Sequence, residues 1–224
     1  AHADLKIFAC ELEWGALAKE IGGSHVNVYT ATTAMQDPHR IEARPSLIAR
    51  ARSADLLACT GAELEIGWLP VILAQSGNAA IQAGQPGQFF AAPHVAMLEK
   101  PAALDRAAGD VHADGNPHIQ TDPRNITLVA EPLARRLAEL DPANAATYQA
   151  RSADFQARWK AAIQRWEQSA APLRGVPVVV QHKAFPYLQQ WLGLVEVAAL
   201  EPKPGVEPTS AHLSTVLAGL KTRP

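Results

Sequence analysis

Apolar residues recur along this chain with two different periods, and the period changes from segment to segment. Leu5-Lys6-Ile7-Phe8-Ala9-Cys10 is a short apolar run with the length of a buried strand. In Leu12-Glu13-Trp14-Gly15-Ala16-Leu17-Ala18-Lys19-Glu20-Ile21 the apolar positions fall at helical spacing, and Gly22-Gly23 supplies a stop. His25-Val26-Asn27-Val28-Tyr29-Thr30 alternates with period two and reads as a strand. Pro45 to Arg52 reads as a helix with an N-terminal proline, leading into a strand that ends at Cys59. Strands alternating with helices predict a parallel sheet covered on both faces. Ligands in such sheets bind beyond the carboxyl ends of the strands.

The pattern weakens from Gly77 to Asn116, which is rich in Gly, Pro, Ala and Gln and ends in the loop 109–115, expected to be mobile and exposed. A helix is predicted from Asp122-Pro123 to Leu140, with Asp122 as its cap; Pro132 should kink or split it. Asp141-Pro142 opens a longer helix to Ala170, on which Tyr148, Ser152, Phe155, Trp159, Ile163 and Trp166 share one face. At about 28 residues it would be about 42 Å long and would join two lobes. A second strand-helix-strand unit follows: the strand into His182, the helix 186–192 and the strand 195–200, then a helix from about Thr209. The expected fold class is therefore α/β, with two parallel-sheet lobes on a long connecting helix. Its parts are an N-terminal lobe 4–141, the helix 142–172 and a partial C-terminal lobe 173–224. Two strands do not make a covered sheet, so the second lobe is expected to be incomplete.

Composition narrows the partners. Apolar residues make up 48% of the 224 and charged residues only 19%, which suits a globular chain with a large core. With 20 basic and 22 acidic residues and no basic run, nucleic acid is excluded as a partner. No stretch is long and apolar enough for a membrane span. Ala1-His2-Ala3 has the small-x-small form left by signal peptidase, so a processed, exported, periplasmic protein is expected. Cys10 and Cys59 each end a strand-like run. A disulfide is the leading expectation, with buried free thiols and thiolate metal ligation as alternatives.

Three histidines carry the candidate chemistry: His39 in Gln-Asp-Pro-His, His118 in Asn-Pro-His, and His182 at the end of the apolar run 176–180. Two follow prolines that stiffen the backbone, and the third ends a strand. They lie 79 and 64 residues apart, so any shared site is built by tertiary structure. Neutral imidazole is the commonest zinc ligand, and three of them favour zinc over manganese. His2, His25, His94 and His212 have no motif support and read as ordinary surface or core residues.

These motifs together resemble the solute-binding proteins of zinc and manganese ABC importers, the ZnuA/TroA-like family (cluster A-I). The resemblance rests on Asp37-Pro38-His39, Asn116-Pro117-His118-Ile119 with Asp122-Pro123, the phrase 137–144, and His182-Lys183-Ala184-Phe185-Pro186-Tyr187. It spans residue 5 to about 215. It implies two Rossmann-like lobes on a rigid backbone helix, with one metal clamped in the cleft by His39 and His118 from one lobe and His182 from the other. It implies Zn(II) as the transported ligand ahead of Mn(II), an ABC permease as partner, a periplasmic metallochaperone as a further one, a monomer, and no catalytic activity. Many members complete the site with a downstream carboxylate, here replaced by water or by a group beyond Pro224. The chain departs from the family at Lys183 and Gln120, where an Asp and an aromatic are common. Only His112, flanked by Asp110 and Asp114, stands where relatives carry a His-rich loop, and the 110–116 segment would shift on release. Two other readings are a mononuclear zinc hydrolase, with Glu63 or Glu65 as general base, and a metal-binding adhesin.

Overall fold

Four strands, β1 (Leu5–Ala9), β2 (Val26–Thr30), β3 (Leu56–Cys59) and β4 (Gln88–Phe90), form a parallel sheet in the order β2-β1-β3-β4 in this computed structural model, which describes residues 4–223. The Ala1-His2-Ala3 stretch read as a processing site lies outside the described residues. Register pairs Ile7 with Val28 on one side and with Leu56 on the other, and Ala58 with Phe89. The strands read as continuous apolar runs because both faces are covered. Ile7, Leu56 and Ala58 point into one core with Trp14, Leu17 and Ile21 of α1 (Leu12–Gly22). Phe8, Leu57 and Cys59 point into the other, against Leu47 of α2 (Pro45–Arg52) and Ile72 of α3 (Leu69–Ser76). The three-residue β4 sits in the stretch whose weak periodicity gave no strand signal.

Helix α4 (Pro123–Leu140) runs unbroken through Pro132, so the expected split does not occur. An interior proline costs about 3 kcal/mol. Val129, Leu133 and Leu137 are each fully buried, and each contributes about 1.5–3 kcal/mol, which outweighs it. Leu128, whose carbonyl loses its helical partner, is exposed to water. Asp122 caps the helix by accepting from the Arg124 N–H.

Helix α5 (Ala145–Ala170) is 26 residues long, about 39 Å, and packs on α1 and α4. Its aromatic stripe is core only at the start. Tyr148 and Phe155 are buried, Trp159 is half-buried and donates to the Pro123 carbonyl, and Trp166 is exposed. Beyond α5, β5 (Pro177–Val180) and β6 (Val195–Ala199) form a two-stranded parallel sheet with α6 (Pro186–Leu192) between them and α7 (Ser210–Lys221) after them. The run 176–180 does not make the buried strand expected of it: Val176, just before β5, and Val179 are exposed, and only Val180 is buried. Among the described residues no helix is long and apolar enough to cross a membrane.

Candidate metal centre

Each of the three histidines is delivered by a strand end or a stiff turn, as the parallel sheet requires. His39 lies in the loop after β2, on a turn whose floor is Gly67 and Trp68. The Trp68 indole N–H donates to the Pro38 carbonyl at 2.8 Å, and a Cβ on Gly67 would stand 2.7 Å from the His39 carbonyl oxygen. His118 opens the turn before α4, with φ −80° and ψ 48°. His182 follows β5. The disulfide between Cys10 and Cys59 joins the ends of the adjacent parallel strands β1 and β3, 4.8 Å apart at Cα, which settles the thiol question.

The fold brings these imidazoles together. One nitrogen from each of His39, His118 and His182 lies within 4.8 Å of the other two. Ring centroids are 5.3 Å apart for His39–His118, 5.5 Å for His39–His182 and 5.2 Å for His118–His182. Behind each ring an oxygen accepts from Nδ1, which leaves Nε2 as the nitrogen available to a ligand. Asp37 Oδ1 takes the His39 Nδ1 at 2.7 Å and the His39 backbone N–H at 3.0 Å. Asn116 Oδ1 does the same for His118, at 2.7 and 3.0 Å. The Asx-Pro-His sequence is thus one device used twice: a side-chain turn that fixes the backbone and the ring together. Glu201 Oε2 holds the His182 Nδ1 at 2.6 Å. The buried His39 Nε2 has no hydrogen-bond partner among the described residues, as a ligand atom without its ion would not.

The electrostatics suit a cation. Burial, and then the neighbouring imidazoles His39 and His182, push the His118 pKa down to about 3, so near neutral pH this ring is uncharged with its lone pair free. Burial raises the Asp37 carboxyl, but the His39 N–H, its imidazole and Arg40 outweigh it and hold the group below its usual value.

Asn116 also ties the two halves together. Its amide donates to Glu99 Oε1 at 2.9 Å and to the Lys183 carbonyl at 2.7 Å, so all four of its hydrogen bonds are made. Tyr187 of α6 donates to the Asn116 carbonyl at 2.6 Å and accepts from the Leu98 N–H. A cavity of about 190 Å³ opens beside the rings, lined in part by His112, His118, His182 and Asp110.

The loop 109–115 is more sheltered and better anchored than its composition implied. His112 is half-buried, and its ring stacks on His39 at 5.6 Å and 29°. Lys183 pairs with Glu196 at 3.5 Å. Gln120 lies in an apolar groove along α5, where its Oε1 is buried without a partner among the described residues. Glu65, considered above as a general base, is occupied otherwise. Its two oxygens accept from the backbone N–H groups of Thr60 and Gly61, and it packs in the interior beside Glu11. Burial raises both carboxyls. Glu63 accepts at 3.5 Å from the Ala113 N–H.

Sequence reasoning missed the role of Glu201, although a signal existed. Val180 of β5 is in register with Ala199 of β6, so continuing both strands by two residues sets His182 beside Glu201.

Comparison with known proteins points the same way. Residues 7–224 match the family described as zinc-uptake complex component A, periplasmic. The chain is 22% identical over 204 residues to the zinc-binding lipoprotein AdcA of Streptococcus pneumoniae serotype 4, covering 91% of this chain but 40% of that protein. It is also 22% identical over 222 residues to PsaA of the same species, a manganese ABC transporter substrate-binding lipoprotein, covering 97% of this chain and 68% of that one. A crystal structure of a ZnuA deletion mutant with zinc bound superposes with a TM-score of 0.78 at 26% identity, over 97% of this chain and 77% of that one.

Proposed function

The chain belongs to the ZnuA family of periplasmic zinc-uptake components, and from that premise we propose that it captures Zn(II) at His39, His118 and His182 and delivers it to an ABC permease for uptake. The observation that carries this reading is the convergence of three imidazoles, one nitrogen of each within 4.8 Å of the others, each with its Nδ1 held from behind. Three neutral imidazoles make a borderline-soft set that suits zinc better than manganese, which prefers carboxylates and water. The fourth coordination position is open to water or to a further group. The division into a lobe 4–141, a connecting helix 142–172 and a lobe 173–224 puts two ligands on one lobe and the third on the other, so the ion clamps the cleft.

All three imidazoles come from one chain, which supports a monomeric carrier. The cavity beside the rings gives a route for free ion or for transfer from a metallochaperone. A disulfide persists in oxidising compartments, which supports export to the periplasm or cell surface. A hydrolase needs a free general base at the metal, and the engagement of Glu65 with backbone amides speaks against one.

Native mass spectrometry of the purified chain, followed by zinc competition, tests the reading. One zinc retained per chain and lost on denaturation is expected, with His118→Ala lowering affinity at least about tenfold. Unchanged affinity in that variant would sink the site assignment, and turnover of simple esters would favour an enzyme.

A further inference from the structure

A second ring of contacts surrounds the three histidines. Arg40 directly follows His39, and its Nη2 donates to Asp110 Oδ2 and to the Gly205 carbonyl, each at 3.3 Å. The Asp110 N–H donates to the Pro204 carbonyl at 2.8 Å, and Lys203 Nζ donates to the Ala107 carbonyl at 2.6 Å. Gly205 has φ +79°, and a Cβ there would lie 1.9 Å from Asp110 Oδ2, so only glycine lets the carboxylate sit where it does. The Gly205 N–H donates at 3.1 Å to Glu201 Oε2, the oxygen that holds His182. Contacts therefore run without a break from one histidine to another: His39, Arg40, Asp110, Gly205, Glu201, His182. The strap that carries His112 over His39 is pinned across this ring.

We propose that Arg40, Asp110 and the turn 201–205 form a clasp that closes the mouth of the centre and sets how long the metal stays. This rests on the zinc-carrier reading. An ion pair as exposed as Arg40–Asp110, with side chains 64% and 40% accessible, is weak on its own. Here it is one of three contacts pinning the same strap, with Asp110 N–H to Pro204 and Lys203 to Ala107, so loss of one loosens a segment rather than a pair. Arg40 and Asp110 are positioning residues on this account: they touch no ligand nitrogen and act through the strap and Glu201. A clasp gates both directions. Breaking it should quicken entry and exit together and move Kd less than the release rate.

The test is stopped-flow transfer of Zn(II) from the loaded protein to excess chromogenic chelator, with Arg40→Ala, Asp110→Ala and Lys203→Ala. Lys203 is exposed, so its loss should leave the metal-free fold intact. Each variant is expected to hold one zinc, to melt with the wild type when metal-free, and to release about tenfold faster, the effect of one charge-assisted contact. The Arg40→Ala/Asp110→Ala double variant should release no faster than either single. Wild-type release rates in the single variants, at full occupancy, would overturn the clasp and leave the carrier reading standing. Loss of zinc occupancy in the variants alone would also overturn it, by making these residues part of the ligand cage. Failure of the wild type to bind zinc would refute the carrier reading itself and the clasp with it.

Discussion

Removing the titratable group at His118 should flatten the pH dependence of stability in the metal-free protein. The buried imidazole has its pKa depressed to about 3 by desolvation first and by its two neighbours second, against an unfolded value of about 6.5. As pH falls below about 6.5 the unfolded chain takes up a proton here and the folded chain does not, so stability drops and continues to drop until the folded value is reached. Between about pH 7.5 and about pH 5 the difference comes to about 2 kcal/mol. Urea denaturation with excess chelator at both pH values reads it directly. Wild type should lose about 2 kcal/mol more than His118→Gln across this interval. Only the double difference counts, since the substitution shifts the baseline and other histidines titrate in both proteins. Equal losses in the two proteins would refute the claim that His118 is held neutral by burial. The same depression means that zinc displaces no proton from His118 near neutral pH.

Two further outcomes follow from contacts already described. Asn116→Ala removes the acceptor behind His118 together with both donors to Glu99 and the Lys183 carbonyl, so zinc affinity should fall about 10–100-fold; calorimetric titration showing unchanged affinity would contradict the bridging role given to Asn116. Cys10→Ser opens a disulfide spanning 49 residues and should destabilise the chain by about 4 kcal/mol in the chain-entropy model, read as a lowered urea midpoint; an unchanged midpoint would show that the cross-link is not what restrains the unfolded chain.

The elements with strong periodicity were legible from sequence because local pattern and final burial agree in them. β1 and α1 bury the side chains their spacing indicates. The three histidines were legible through the turns that carry them, since Asx-Pro-His fixes its own geometry locally. What escaped depends on distant partners. β4 is three residues long and is held by its neighbour β3, which no local pattern records. α4 survives Pro132 because of burial against other elements. Val179 looks like a core residue by type but is exposed, because strand propensity says nothing about what covers a face. Glu201 read as part of a turn until strand register placed it against His182.

The oxygens behind the rings also fix a charge. Asp37 and Glu201 each bring one negative charge against an imidazole N–H, and Asn116 brings none. On the proposed reading, two carboxylates behind three neutral ligands offset the positive charge of a bound ion, with Arg40 beside Asp37 cancelling part of theirs. The attraction for a cation would thus come from groups that never touch it, separately from the preference among divalent ions exerted by the nitrogens.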